Sequence, residues 1–362
     1  MPFYSLTIKN RERPLKNILA QYIIILMGTL ILAGLTYPAW AGYTALIHTI
    51  LEIACVFIAI SSFLTVWHNY HRNPPVNHLI GFGLLCTAVF DLFHTFYFPF
   101  LNLYPQGYFD LSTRYWVLGR LTEAAVLLVC STNLFQPRIK NWFGLIFSAG
   151  LTLGISYLVL HFPGLMPVLL TEQGPTPLKI ALEYLIVGLY LASLYQLKNR
   201  VNSRDILTYR YIFLALIIAV PAELCFTLFD TLTSFYTSLG HILKITCYYY
   251  LYRGIFVSAV TYPYERLEEA GRYTAAILNG LPIGLLTYDN NLRVSFINRK
   301  ALDLSGIKKE EEVIGLRADD LMERYWGPEE IGNPLTLEPG KTSCPVKNRI
   351  MTIKKTGLKI II

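Results

Sequence analysis

Apolar residues gather into eight runs along the chain, at approximately 18–37, 44–66, 78–98, 115–135, 142–162, 178–197, 211–230 and 237–257. Each is close to the roughly 20 residues that a helix needs to cross a hydrocarbon core of about 30 Å. The pattern predicts eight membrane-spanning helices, the eighth weakened by His241, Lys244 and Arg253. From about Tyr262 onward it gives way to that of a soluble domain rich in Glu, Lys and Arg. The expected fold is an all-α polytopic membrane bundle of about eight transmembrane helices, followed by a small α+β domain. The expected boundaries are 1–258 for the bundle, 259–276 for a linker helix and 277–362 for the C-terminal domain.

Composition agrees with a lipid solvent. Only 15% of the 362 residues are charged, against about 25% in soluble domains. Basic residues cluster in alternate loops: Lys9, Arg11, Arg13 and Lys16; Arg72; Arg138 and Lys140; Lys198, Arg200, Arg204 and Arg210. The opposite loops hold Arg114, with Lys179 at a span edge. The positive-inside bias then places both termini in the cytoplasm of a plasma (inner) membrane protein. Ala39-Trp40-Ala41 resembles a signal-peptide cleavage site, but the preceding run exceeds the usual h-region of about 7–15 residues, so a retained anchor is expected. The net charge of +7 has no basic face or interleaved aromatic motif with it, which argues against nucleic-acid binding. Five of the six cysteines (Cys55, Cys86, Cys130, Cys225 and Cys247, but not Cys344) sit in apolar runs, and no Cys-x-x-Cys pair occurs. Neither a disulfide framework nor a cysteine zinc site is expected.

Ionisable residues inside a span are costly and are functional candidates by default. The spans carry His48, Glu52, Asp91, His94, Arg120, Glu123, Glu183, Glu223, Asp230, His241 and Lys244. Asp91/His94, Arg120/Glu123 and His241/Lys244 stand at i, i+3, and His48/Glu52 at i, i+4, so each pair shares a helix face. With the orientation above, almost all of this charge falls in the outer half of the bundle, where it would line a polar cavity open to the outside. The candidate ligand-binding or sensing set is Glu52, Asp91, His94, Arg120, Glu123, Glu183, Glu223, His241 and Lys244. Helix-to-helix ion pairing is the plainer alternative for any one pair. His94 and His241 are candidate ligands for a metal ion or a haem, although no His-Glu-x-x-His motif is present; a proton response through the histidines is a further option. The aromatic stretches Phe93 to Phe100 and Tyr248 to Tyr252 read as interfacial belts.

In the C-terminal region, Leu267, Ala270, Thr274 and Ile277 recur at helical spacing and suggest a short amphipathic helix able to pair with a second copy. Leu285 to Tyr288, the turn Asp289-Asn290-Asn291 and Leu292 to Ile297 form a hairpin signal. Asn298 should open a helix with Ala301 and Leu304 facing inward. Arg349 to Lys354 and Leu358 to Ile362 are expected as later strands.

These motifs carry two resemblances. Asp91-Leu92-Phe93-His94-Thr95, Trp116 with Arg120 and Glu123, His241-Ile242-Leu243-Lys244, and Pro263-Tyr264 resemble the third membrane-associated sensor family, over roughly residues 15–265. The resemblance implies a bacterial input domain of about eight helices, normally fused to a histidine kinase or diguanylate cyclase, with Asp91, His94, Arg120, Glu123, His241 and Lys244 as its polar motif. It implies no ligand. Residues 277–362 resemble the opening of a PAS domain that stops before its sheet is complete. No cofactor is expected there, since no histidine follows His241 and no Asn-Cys-Arg-Phe stretch occurs. No kinase or cyclase motif is present either, so the chain reads as a non-catalytic sensor fragment in the bilayer, homodimeric and coupled to a downstream kinase or cyclase effector. A small-solute or ion transporter and a metal-dependent membrane enzyme are the alternatives. No internal repeat supports the transporter, and no substrate signature supports the enzyme.

Overall fold

The computed structural model describes residues 15–98, 109–132, 140–171, 173–198, 208–228, 231–289, 291–317, 320–321 and 324, and the strands at 335–336, 350–353 and 358–361. Lys9, Arg11, Arg13, Pro99, Phe100, Arg138, Arg200, Arg204, Asp230, Asn290, Cys344, Arg349, Lys354 and Ile362 lie outside the described residues. So do the ends of the expected spans at 133–135 and 229–230.

The chain divides into two compact units, Met1–Pro263 and Tyr264–Ile362. The first is helical. It holds α1 (Leu15–His68), α2 (Pro75–Tyr97), α3 (Phe109–Ser131), α4 (Asn141–His161), α5 (Pro177–Leu197), α6 (Thr208–Thr227) and α7 (Phe235–Phe256). Between α4 and α5 lies a small hairpin of β1 (Leu170–Thr171) and β2 (Gly174–Pro175). The first two expected spans form α1 as two helical segments that meet at a kink at Tyr43 (φ −134°, ψ 37°). Elsewhere, local chemistry sets the helix starts. Pro75 and Pro177 occupy first-turn positions, where a missing N–H costs nothing. Thr176 and Ser234 accept N-cap hydrogen bonds from the backbone N–H of Lys179 and Thr237.

Five of these helices are long and apolar enough to cross a membrane, and the first is long enough to do so twice. α3 and α7 are less apolar: α3 carries Asp110, Arg114, Arg120 and Glu123, and α7 carries His241, Lys244, Arg253 and several tyrosines. Large side chains such as Ile24, Leu35, Phe57 and Ile146 are mostly exposed, as a lipid-facing surface requires. The core is built where α1, α2, α3, α6 and α7 pack together, with α5 against α3 and α6. Glycine permits close approaches beside the site: a Cβ on Gly119 of α3 would lie 3.0 Å from Asp91 Oδ1 of α2, and one on Gly240 of α7 would lie 2.7 Å from the Phe226 ring. Cys55, Cys86, Cys130, Cys225 and Cys247 are buried and free.

A π-helical turn, Val257–Thr261, follows α7. At this end of the bundle Asn77 donates to Ser258 Oγ (2.7 Å) and Asn73 Oδ1 (2.9 Å), and accepts from Thr208 Oγ1 (2.8 Å).

α8 (Tyr262–Gly280), whose residues are all at least partly exposed, begins at the unit boundary, and the second unit continues with β3 (Gly284–Tyr288), β4 (Val294–Ile297) and α9 (Arg299–Ser305). β5 (Leu335–Thr336), β6 (Ile350–Ile353) and β7 (Leu358–Ile361) complete a five-stranded sheet in the order β4-β3-β7-β6-β5. The two segments expected as later strands thus join the sheet, β7 between β3 and β6. Two details differ from expectation. Leu292 adopts φ 58° and belongs to the turn, so β4 begins at Val294. Leu304 is exposed; Ala301 is buried and Leu302 packs on the core instead. Asn298 caps α9, its Oδ1 accepting from Ala301 N and Leu285 N (2.8 Å each) and its Nδ2 donating to the carbonyls of Leu278 and Ile283 (2.7 and 2.9 Å).

Candidate functional site

A cavity of about 560 Å³ opens at the end of the bundle opposite the π-turn, lined from α1, α2, α3, α5, α6 and α7. Its rim is fixed by a carboxylate on α3. Asp110 Oδ1 accepts from the backbone N–H groups of Leu169 and Leu170 (2.7 and 2.8 Å), and Asp110 Oδ2 pairs with Arg114 (2.7 Å). Leu170 is the first residue of β1, so this carboxylate anchors the hairpin. Arg114 in turn donates to the Pro163 carbonyl (3.0 Å). On another side the Trp40 indole donates to the Leu232 carbonyl (3.0 Å).

Beneath the cavity lies a buried network of charge. Lys244 Nζ is 2.5 Å from Glu52 Oε2 and 3.3 Å from Asp91 Oδ2. Arg120 reaches Asp91 Oδ2 (2.9 Å) and Glu123 Oε2 (2.5 Å). Tyr248 ties the network together, accepting from Arg120 (2.5 Å) and donating to Asp91 Oδ2 (2.8 Å). Four helices contribute, so removing one partner would leave a buried charge uncompensated. The network has three carboxylates (Glu52, Asp91, Glu123) against two permanent cations (Arg120, Lys244). A second pair, Lys179 Nζ to Glu183 Oε1 at 2.5 Å, stands on the α5 side of the cavity.

Three histidines form the cavity floor. His48 packs edge-on against His94 and His241, with ring centroids 5.3 and 4.7 Å apart, and stacks on Phe98 at 3.8 Å. Trp116 lies against His94 (5.3 Å) and Phe226 (4.6 Å), and Lys244 Nζ is 4.5 Å from the centre of its ring. His48, Glu52 and His241 each offer one ligand atom, all within 4.8 Å of one another.

The structure therefore brings together Glu52, Asp91, His94, Arg120, Glu123, His241 and Lys244. Glu183 sits on the cavity wall. Glu223 is buried beside a small void with Arg120 and Glu123, and its Oε1 has no hydrogen-bond partner. Asp91 and His94 share a face but not a partner: Asp91 turns to Arg120 and Tyr248, His94 to Ser112. Because His48 is wedged between His94 and His241, a porphyrin cannot be ligated by that pair without displacing it. The belt assignment fails for Tyr248 and Phe98, which are buried in the site, although Tyr249 remains exposed. Lys179, Ser112 and Asp110 were not separable by sequence from other polar residues near helix ends, and His48, though named among the ionisable residues within the spans, was not in the candidate sensing set. The i, i+4 spacing of His48 and Glu52 was the one available signal for His48.

A family model described as a membrane-associated sensor domain matches residues 39–263, a stretch that contains the cavity and its floor. No curated protein and no solved structure matches the chain.

Proposed function

We propose, from the premise that this chain belongs to the MASE3 family of membrane-associated sensor domains, that it is the multi-pass input module of a bacterial signalling protein. In this reading the bundle crosses the plasma membrane eight times, with both termini cytoplasmic and the cavity facing out. The basic residues near the π-turn end, Arg72, Lys140, Lys198 and Arg210 among them, support that orientation. The candidate sensing set is Glu52, Asp91, His94, Arg120, Glu123, Glu183, Glu223, His241 and Lys244.

The observation that carries the reading is the double role of α7. It places His241, Lys244 and Tyr248 in the floor, and the π-turn that follows it bonds to Asn77 through Ser258. π-turns often mark functional positions in helices. A stimulus biases a conformational equilibrium only by interacting differently with two states, and α7 is the element able to carry that difference from cavity to exit. The sheet of the second unit and the Asn298 cap support a PAS relay. The exposed stripe of Leu267, Ala270, Thr274 and Ile277 on α8 supports homodimerisation, with a kinase or cyclase as the downstream effector.

The full chain joined to a histidine-kinase catalytic core tests this. His241→Ala and Lys244→Met should each shift kinase output several-fold while membrane insertion stays intact. Identical output from wild type and both inserted variants would overturn the assignment.

A further inference from the structure

We propose that His48, Glu52 and His241 bind a divalent first-row transition-metal ion at the floor of the cavity. The argument begins with hydrogen positions forced by carbonyl oxygens, which only accept. His241 Nδ1 is 2.7 Å from the Thr237 carbonyl, so Nδ1 carries a hydrogen. In a neutral ring that leaves Nε2 as a lone pair. His94 Nδ1 is 2.8 Å from the Ser112 carbonyl and 2.9 Å from Ser112 Oγ, whose own hydrogen goes to the His94 carbonyl. His94 Nδ1 therefore also carries a hydrogen, and His94 Nε2 is an acceptor. His48 Nε2 lies 3.4 Å from that acceptor and must donate to it. The remaining lone pair of His48 is on Nδ1.

The chain of constraints ends on three buried Lewis bases: His48 Nδ1, His241 Nε2 and Glu52 Oε1. None of the three has a hydrogen-bond partner. His241 Nε2 and Glu52 Oε1 stand 3.3 Å apart, an ion pair when the ring is doubly protonated and two facing acceptors when it is neutral, as metal ligation requires. All three residues come within a 4.8 Å cluster, and ligand bonds of about 2.0–2.2 Å need only a modest contraction of it. One ligand atom from each of three buried Lewis-base residues, all within 4.8 Å of one another, makes a place for a cation. The network beneath, with three carboxylates to two permanent cations, calls for the same sign of charge.

Two further features suit a metal. Ligating histidines usually donate their other N–H to a carbonyl or a similar acceptor; His241 does so to Thr237, and His48 to His94. Two imidazoles and a carboxylate favour zinc, copper, iron or nickel over calcium or magnesium. The role of the ion as the group read by the sensor rests on the proposed function. Its binding does not, because binding is measured apart from kinase output.

The full chain, purified without a histidine tag and stripped by chelator, is loaded with Zn²⁺ or with Co²⁺ as a spectroscopic probe. One Zn²⁺ per chain should survive gel filtration, and Co²⁺ should give visible d–d bands. Both should be lost in His48→Ala and His241→Ala but kept in a His68→Ala/His71→Ala control. Should His48→Ala fail to fold, His94→Phe leaves the three ligands in place and removes only the acceptor that orients His48. It should weaken binding by about 10- to 100-fold. No retained ion, or equal retention in the cluster variants, would overturn the site and leave His241 as a protonated partner of Glu52.

Discussion

Lys244 on α7 holds Glu52 on α1 at 2.5 Å while standing 3.3 Å from Asp91 on α2, so one ammonium closes the seam between three helices. Lys244→Met would leave two carboxylates buried without their shared cation. Losing one member of a buried pair costs about 3–5 kcal/mol. Thermal unfolding in detergent should show a loss of that size. Adding Glu52→Gln to the same background should recover part of it, because Glu52 is the carboxylate left without a permanent cation while Asp91 keeps Arg120; a double variant as unstable as the sum of the two singles would argue that the pair is not coupled.

Tyr248→Phe removes one hydroxyl that serves both Arg120 and Asp91. Hydrogen bonds to charged groups contribute about 1.5–3 kcal/mol. The melting temperature should fall accordingly, whereas Tyr249→Phe, on an exposed position of the same helix, should leave it unchanged.

Glycine substitutions separate close packing from simple helix propensity. Gly119→Ala drives a methyl toward Asp91 Oδ1 at 3.0 Å and should destabilise by about 1–3 kcal/mol. Gly150→Ala on α4 meets nothing within 4 Å and should be neutral, or stabilising by up to about 1 kcal/mol. Equal effects at the two positions would contradict the close approach of α2 and α3.

In the second unit, Asn298 makes four side-chain hydrogen bonds from a fully buried position. Asn298→Asp keeps the acceptor for Ala301 N and Leu285 N but sets an oxygen against the carbonyls of Leu278 and Ile283. Hydrogen exchange should speed up across β3 and α9 in this variant while the floor of the bundle keeps its protection. Exchange that is unchanged in β3 would show that the cap does not hold the hairpin.

The bundle was legible because lipid imposes a length: runs of about 20 apolar residues mark the helices, and only the α1 segments, joined across Tyr43, merged. Partnership was not legible. Spacing put Asp91 beside His94 and Arg120 beside Glu123, but only the second pair bond to each other, since the nearest partners of Asp91 come from α3 and α7, far away in sequence. Tyr248 looked like every other tyrosine near a membrane surface until Asp91 and Arg120 were placed around its hydroxyl. The rim hairpin at Leu170–Pro175 is too short to leave any periodicity, and Asp110, which anchors it, gave no signal beyond its place in the first turn of α3.

The position of Trp116 gives the floor a built-in optical readout. Its indole lies 4.5 Å from the Lys244 ammonium, 5.2 Å from the Arg120 guanidinium and 6.1 Å from the His241 ring. The excited state of indole is far more polar than its ground state, so its emission colour follows the local electric field. Any event that adds, removes or displaces charge at the floor should therefore tint the protein's own fluorescence, and paramagnetic occupants should dim it. The wild-type chain can be watched responding in a membrane with no dye attached, and because Trp40 also lies 5.3 Å from the His241 ring, the difference between wild type and Trp116→Phe isolates the Trp116 signal.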